Sequence, residues 1–113
     1  MENRRQFKRY DAEVAAEVEI DGDIVEGETH DISGGGVSAA FSHAVTDGAV
    51  LPLTLILTQD GIEDPNEEPF ETHAMVMWSA PAENGETMVG LRFHELQGLQ
   101  QAQLQRFLSA LEG

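Results

Sequence analysis

No cysteine occurs in the 113 residues, which excludes disulfides and thiolate metal sites. Lysine is nearly absent, with Lys8 as the single example, and aromatic residues make up only 6% of the chain. A groove for single-stranded nucleic acid needs basic side chains interleaved with exposed rings, and this composition does not supply them. No long hydrophobic run is present either. The longest apolar-rich stretch, 50–57, is far shorter than the roughly 20 residues that span a bilayer. The opening "MENRRQFKRY" has no apolar segment of the signal-peptide kind. The expectation is a cytoplasmic protein that does not insert into membranes.

What the chain has in excess is acid. Asp and Glu number 21 against six Lys and Arg, for a formal net charge of −15. Such a surface favours solubility and repels DNA and RNA, whose affinity for proteins comes largely from neutralising phosphates. The cations are not spread evenly. Arg4, Arg5, Lys8 and Arg9 lie within the first nine residues, leaving only Arg92 and Arg106 elsewhere. A basic cluster on an acidic chain suits something anionic, either a ligand or the protein's own surface.

Length and an apolar fraction of 41% are enough for one domain with one core. Ala12, Val14, Ala16, Val18 and Ile20 alternate with polar residues, which is the period of a half-buried strand. Asp21-Gly22-Asp23 is a tight turn into a second strand over 24–32, and Ser33 to Gly36 breaks it with glycines that tolerate positive φ or close approach of a ligand. A third strand carries Val37, Ala39 and Phe41 inward. Leu51, Leu53, Leu55 and Leu57 mark a fourth, after the turn at Thr46-Asp47-Gly48. A fifth, 70–79, sets Phe70, Ala74, Val76 and Trp78 on one side, and a sixth, 87–93, follows the Asn84-Gly85 turn. Between the fourth and fifth lies an acidic loop, 59–69. Counted from Asp60, its sixth position is Pro65 where an EF-hand has glycine, and the loop is read as solvated. The period then changes, and Leu96, Leu99, Leu104, Phe107, Leu108 and Leu111 form one helical stripe expected in the core. Hairpin-linked strands with one terminal helix predict an all-β fold with a C-terminal helix, a six-stranded antiparallel β-barrel. The chain divides into a flexible arginine-rich leader (1–10), the barrel (11–95) and the helix (96–113), all one domain.

His30, His43, His73 and His94 are scattered, with none of the spacing of a helical metal site, and no nucleophile elbow, P-loop or metal triad is present. Neither an enzyme, a metal site nor a resident cofactor is expected. Two motifs stand out instead: Arg5-x-x-x-Arg9, preceded by Arg4, and Asp31-x-Ser33-x-x-Gly36. Arginine offers a planar fork for phosphate oxygens or the O6/N7 edge of guanine and a flat face for stacking. An ionised Asp31 accepts hydrogen bonds or holds an arginine. Ser33 has a hydroxyl to donate, and glycines at 34, 35 and 36 let a base approach the backbone.

These two motifs, one hairpin apart, together with "VMWS" and "VGLRF" ahead of a helix, resemble the PilZ domain family over essentially the whole chain. The resemblance implies a six-stranded barrel that binds cyclic di-GMP through Arg4, Arg5, Arg9, Asp31, Ser33, Gly34, Gly35 and Gly36. It also implies that Trp78 sits where some members carry a tryptophan near the ligand. Its place on the presumed core side of its strand favours ring packing over stacking on a base. Arg92 either reaches the ligand or pairs with a surface acid, and the second reading is favoured. The expected partners are cyclic di-GMP and a downstream protein that senses the bound state, with the chain a monomer or weak dimer. The alternative is a PilZ-like structural adaptor that binds no nucleotide.

Overall fold

The computed structural model describes residues 8–57 and 69–112. Among them are seven strands and one α-helix: β1 (Arg9–Asp11), β2 (Ala15–Ile20), β3 (Asp23–Ser33), β4 (Gly36–Phe41), β5 (Val50–Leu55), β6 (Phe70–Pro81), β7 (Thr87–His94) and α1 (Gly98–Leu111). All pairings are antiparallel and run in the order β1-β3-β2-β5-β6-β7-β4, with β4 returning to pair with β3. Strands β2 to β7 therefore form the closed six-stranded barrel that the alternation predicts, and closure pairs both edges of each of these six strands.

The additional strand, β1, lies on the same edge of β3 as β2 does. Arg9 faces Ser33, Tyr10 faces Ile32 and Asp11 faces Asp31. Two residues read from sequence as the end of the leader are thus strand residues. The chain leaves the ladder between β1 and β2, and Thr29 bridges the gap. Its buried hydroxyl donates to the Ala12 carbonyl at 2.7 Å and accepts from the Val14 N–H at 2.9 Å. A buried polar side chain is tolerated here because both its capacities are used.

The core is filled by the inward series of each strand, including Val18, Ile32, Phe41, Leu53, Leu55, Phe70, Val76 and Val89. Phe70 and Phe93 meet edge to face, with centroids 5.4 Å apart. Turn chemistry is as the sequence predicts at two places. Asp21 and Gly22 have φ of 52° and 86°, and Asn84 and Gly85 have 63° and 76°.

Helix α1 packs against β6 and buries Leu104, Phe107 and Leu108. A reciprocal pair of glutamines starts it: the Gln97 N–H donates to Gln100 Oε1 at 2.7 Å, and the Gln97 side chain returns the bond. Gln100 also donates to the Glu71 carbonyl on β6. The stripe expected from sequence is too wide. Leu99 is 72% exposed and Leu111 is also exposed. Leu99 lies five residues before Leu104, which at about 100° per residue turns it well away from the buried side.

Acid is distributed unevenly around this barrel. Strands β1 to β3 contain seven acidic residues in 20: Asp11, Glu17, Glu19, Asp23, Glu26, Glu28 and Asp31. Strands β4 to β7 contain only Glu71 in 32.

Candidate functional site

Strand pairing brings the second motif and part of the first together on the outside of the barrel. The register sets Arg9 opposite Ser33, and its guanidinium lies 3.8 Å from the Asp31 carboxylate. Both ends of this pair keep access to solvent, with side-chain exposures of 50% and 24%. Arg4 and Arg5 fall outside the described residues, as does all of the acidic loop except Pro69.

Asp31 faces outward because β3 carries a bulge. Thr29 pairs with Ala39 and Asp31 with Ser38, so His30 is the extra residue. The displaced alternation allows Thr29 and Ile32 both to point into the core while Asp31 turns out. Next to it, the Ser33 hydroxyl is spent on the turn. It accepts from the N–H groups of Gly35 (3.1 Å) and Gly36 (3.2 Å) and donates to the Gly36 carbonyl at 3.3 Å. Ser33 therefore shapes the loop in this structure, and its proton is not presented outward.

The three motif glycines do not adopt positive φ; the glycines that do are Gly22, Gly48 and Gly85. Gly36 is needed for a different reason. A Cβ there would overlap the Leu91 carbonyl, so β4 can approach β7 only without a side chain. Gly35 anchors the same crossing, accepting from the Phe93 N–H at 2.9 Å.

Trp78 departs from its expected place. Val76 pairs with Leu91 but Trp78 pairs with Gly90, so Met77 is a bulge residue and the alternation of β6 slips by one. The indole lies on the outside, 41% exposed, and a Cβ on Gly90 would overlap it. The slip also links the motifs. Asp31 pairs with Ser38, Ser38 with Gly90, and Gly90 with Trp78. One outward row thus runs from a carboxylate, over a serine and a glycine, to an exposed ring. Ser38 and Gly90 had no role in the sequence reading. An interior strand glycine beside the lone tryptophan was the available signal.

Arg92 occupies the next outward row, opposite Gly36 on one side and Met75 on the other. It makes no ion pair among the described residues, against the expectation that it would meet a surface acid. The described residues contain no group of three or more His, Cys, Asp or Glu arranged for a metal.

A cavity of about 460 Å³ opens between β1, the motif loop and the helix, lined by residues that include Lys8, Tyr10, Gly34, Leu104 and Leu108. Glu112 closes it. The Tyr10 hydroxyl donates to its carboxylate at 2.5 Å, and Lys8 lies 3.5 Å away. The Tyr10 bond, assisted by the Lys8 charge, holds the Glu112 carboxyl below its usual range, and the same bond raises the Tyr10 phenol. These contacts tie the strand that carries Arg9 to the end of α1.

Comparison with known proteins bears on the family and the fold. The family model described as the PilZ domain matches residues 3–110. No curated protein matches by sequence. Among solved structures, the Bacillus subtilis inhibitor of motility, MotI/DgrA, superposes with a TM-score of 0.79 at 19% identity over 97% of this chain. The chain spans only 51% of that protein's length. The PilZ domain of YcgR from Escherichia coli, solved with c-di-GMP, gives 0.76 at 20% identity, covering 97% of this chain and 92% of that domain. MrkH, described as a c-di-GMP-dependent transcription regulatory factor, gives 0.72 at 14% identity over 96% of this chain and 51% of its own. At these identities the structural likeness establishes the fold. Among the described residues no helix is long and apolar enough to cross a membrane.

Proposed function

The chain belongs to the PilZ domain family, and from that premise we propose that it is a cyclic di-GMP receptor that relays occupancy to a partner protein and catalyses no reaction. The observation that carries this reading is the pairing of β1 with β3, which sets Arg9 beside Asp31 and Ser33 on an open face. Arg5 and Arg9 are the motif arginines and Arg4 their neighbour. Their forks serve the two ligand phosphates and the guanine O6/N7 edge. Asp31 accepts from guanine N1–H and N2–H, or steadies Arg9 while Arg9 does the binding. Ser38, with Gly34, Gly35 and Gly36 beside it, leaves room along the row, and the Trp78 indole, lying over Gly90, offers a ring at its far end. YcgR, whose PilZ domain was solved with this nucleotide, has the same fold.

Hydrogen bonds to charged groups contribute about 1.5–3 kcal/mol each. Four or five of them, less the entropic cost of binding, match the roughly 8 kcal/mol of micromolar binding. The strap formed by Lys8, Tyr10 and Glu112 suits the relay, since a ligand that repositions Arg9 pulls on a segment attached to α1. The working compartment is the cytoplasm.

Calorimetric titration with cyclic di-GMP is the test. Wild type binds, and Arg5→Ala, Arg9→Ala and Asp31→Ala each lose roughly tenfold or more, as expected for one charge-assisted contact. No heat from folded wild-type protein would move the chain to the adaptor reading. Product formation would instead reveal an enzyme.

A further inference from the structure

The acid-poor side of the barrel carries a face that nucleotide binding does not use. Its outward positions can be followed row by row. Arg92 pairs with Met75, and Met75 with Val50; one row further on, His94 pairs with His73, and His73 with Pro52. From His73 to Ala80 on β6, throughout β7, and from Val50 to Pro52 on β5, no Asp or Glu occurs. Val50 and Met77 are 42% and 49% exposed. Three of the four methionines of the chain, Met75, Met77 and Met88, lie on β6 and β7.

This pattern is not that of a solvated face in a chain with 21 acids. The outward series of β2 and β3 shows what such a face looks like here, with Glu17, Glu26 and Glu28. Depletion of acidic residues with enrichment of Met and Arg marks the centre of protein interfaces. Methionine adds an adaptable surface that repacks around different apolar groups. Among the described residues Arg92 pairs with no carboxylate, and its fork suits one from a partner.

We propose that this outer face of β5, β6 and β7 docks a partner-protein segment that combines apolar anchors with at least one carboxylate. The anchors lie against Val50, Met75 and Met77, and the carboxylate pairs with Arg92. Charge selects the class. A basic segment meets only Arg92 and imidazoles here and is drawn to the acidic strands instead. A second copy of the chain brings its own charge of −15 to the contact. The Gly90–Trp78 row makes the face continuous with the Asp31 end of the barrel, yet docking does not depend on nucleotide.

The test is selection of displayed random twelve-residue peptides on the full chain without nucleotide, followed by affinity measurement with the best synthetic peptide. Enriched sequences should combine aliphatic or aromatic residues with Asp or Glu. Met77→Asp and Arg92→Glu should each weaken binding by about tenfold or more, as for an interface hot spot. Ile24→Asp, at an exposed apolar residue on the acidic side, should leave it unchanged. Thermal melts check that all three variants fold. Four outcomes overturn the proposal: enrichment of basic peptides, no enrichment, equal loss in Ile24→Asp, or a concentration-dependent dimer that Met77→Asp abolishes, which would give the face to a second copy. Because nucleotide is absent, a failed cyclic di-GMP titration leaves this result standing.

Discussion

The two sides of the barrel fold by the same rules and face solvent with opposite chemistry. On β1 to β3 the outward positions set like charges opposite one another, with Asp11 facing Asp31 and Glu17 facing Glu26. Like charges directly opposed on a sheet are destabilising. On β4 to β7 the corresponding rows hold serine, glycine, alanine, methionine, tryptophan, two histidines and one arginine. The inner faces show no such divide, since Val18 and Ile32 on one side are as buried as Val76 and Val89 on the other. Packing thus sets the fold, while the outer positions are free to be used for recognition. The candidate site lies at the boundary, where Asp31 of the acidic side meets Ser38 of the other.

The comparison breaks most readily where the acidic side is joined to itself. Thr29→Val keeps the shape of a buried residue and removes both hydroxyl bonds, leaving the Ala12 carbonyl and the Val14 N–H without their partner. Unfolding in urea should show a loss of about 1–3 kcal/mol, the cost of unsatisfied buried groups. A result near zero would mean that water satisfies the gap between β1 and β2.

On the acid-poor side the sharper test concerns ligand rather than stability. Trp78→Ala removes an exposed ring from above Gly90, so the melting temperature should change little, whereas stacking on a base contributes about 1–3 kcal/mol. Affinity for cyclic di-GMP should fall roughly tenfold in Trp78→Ala and recover in Trp78→Phe. Unchanged affinity in both would confine the nucleotide to the Arg9 and Asp31 end of the row.

The history of Trp78 also explains which parts of the structure were legible in the sequence. Strand alternation and turn chemistry gave the six barrel strands and the helix, because inward residues are selected by one shared core. Bulges do not announce themselves in such a pattern. One at Met77 reversed the side of Trp78, and one at His30 turned Asp31 outward. The motif residues Arg9, Asp31 and Ser33 were legible as a set, and their register was not, since β1 is only three residues long. The role of Ser33 in its own turn and the need for glycine at 36 are set by the close approach of β4 to β7, which only the folded chain reveals.

Charge reversal on the acidic side should produce a smaller gain. Glu17→Lys places a cation opposite Glu26 in place of a second anion. An opposite-charge pair across strands contributes roughly 0.2–1 kcal/mol, so the variant should melt slightly higher at low salt. The advantage should shrink as ionic strength rises and screening weakens both the repulsion and the new attraction. An equal gain from a lysine at an outward position of β7, such as Met88→Lys, would show that the repulsion is a property of the total charge and not of the pairs.

The smallest expected effect is a pH response at the strap. Glu112 titrates below its ordinary range because it accepts from Tyr10 and lies beside Lys8. A carboxyl lowered in the folded state contributes stability above its unfolded pKa and loses it as pH falls through the folded value. Tyr10, raised by the same bond, contributes below its unfolded pKa and loses that as pH climbs through its folded value. The strap should therefore hold across the neutral range and open at both extremes. The acid limb should move the ring resonances of Tyr10 and the amides of the last turn of α1 together, with the rest of the barrel unperturbed by that step. Glu112→Gln should abolish the acid step while leaving the melting temperature nearly unchanged, since the bond lies at the surface and Glu112 is exposed. If Tyr10 and the helix end titrate separately, β1 and α1 are not mechanically joined, and a ligand at Arg9 needs another route to the helix.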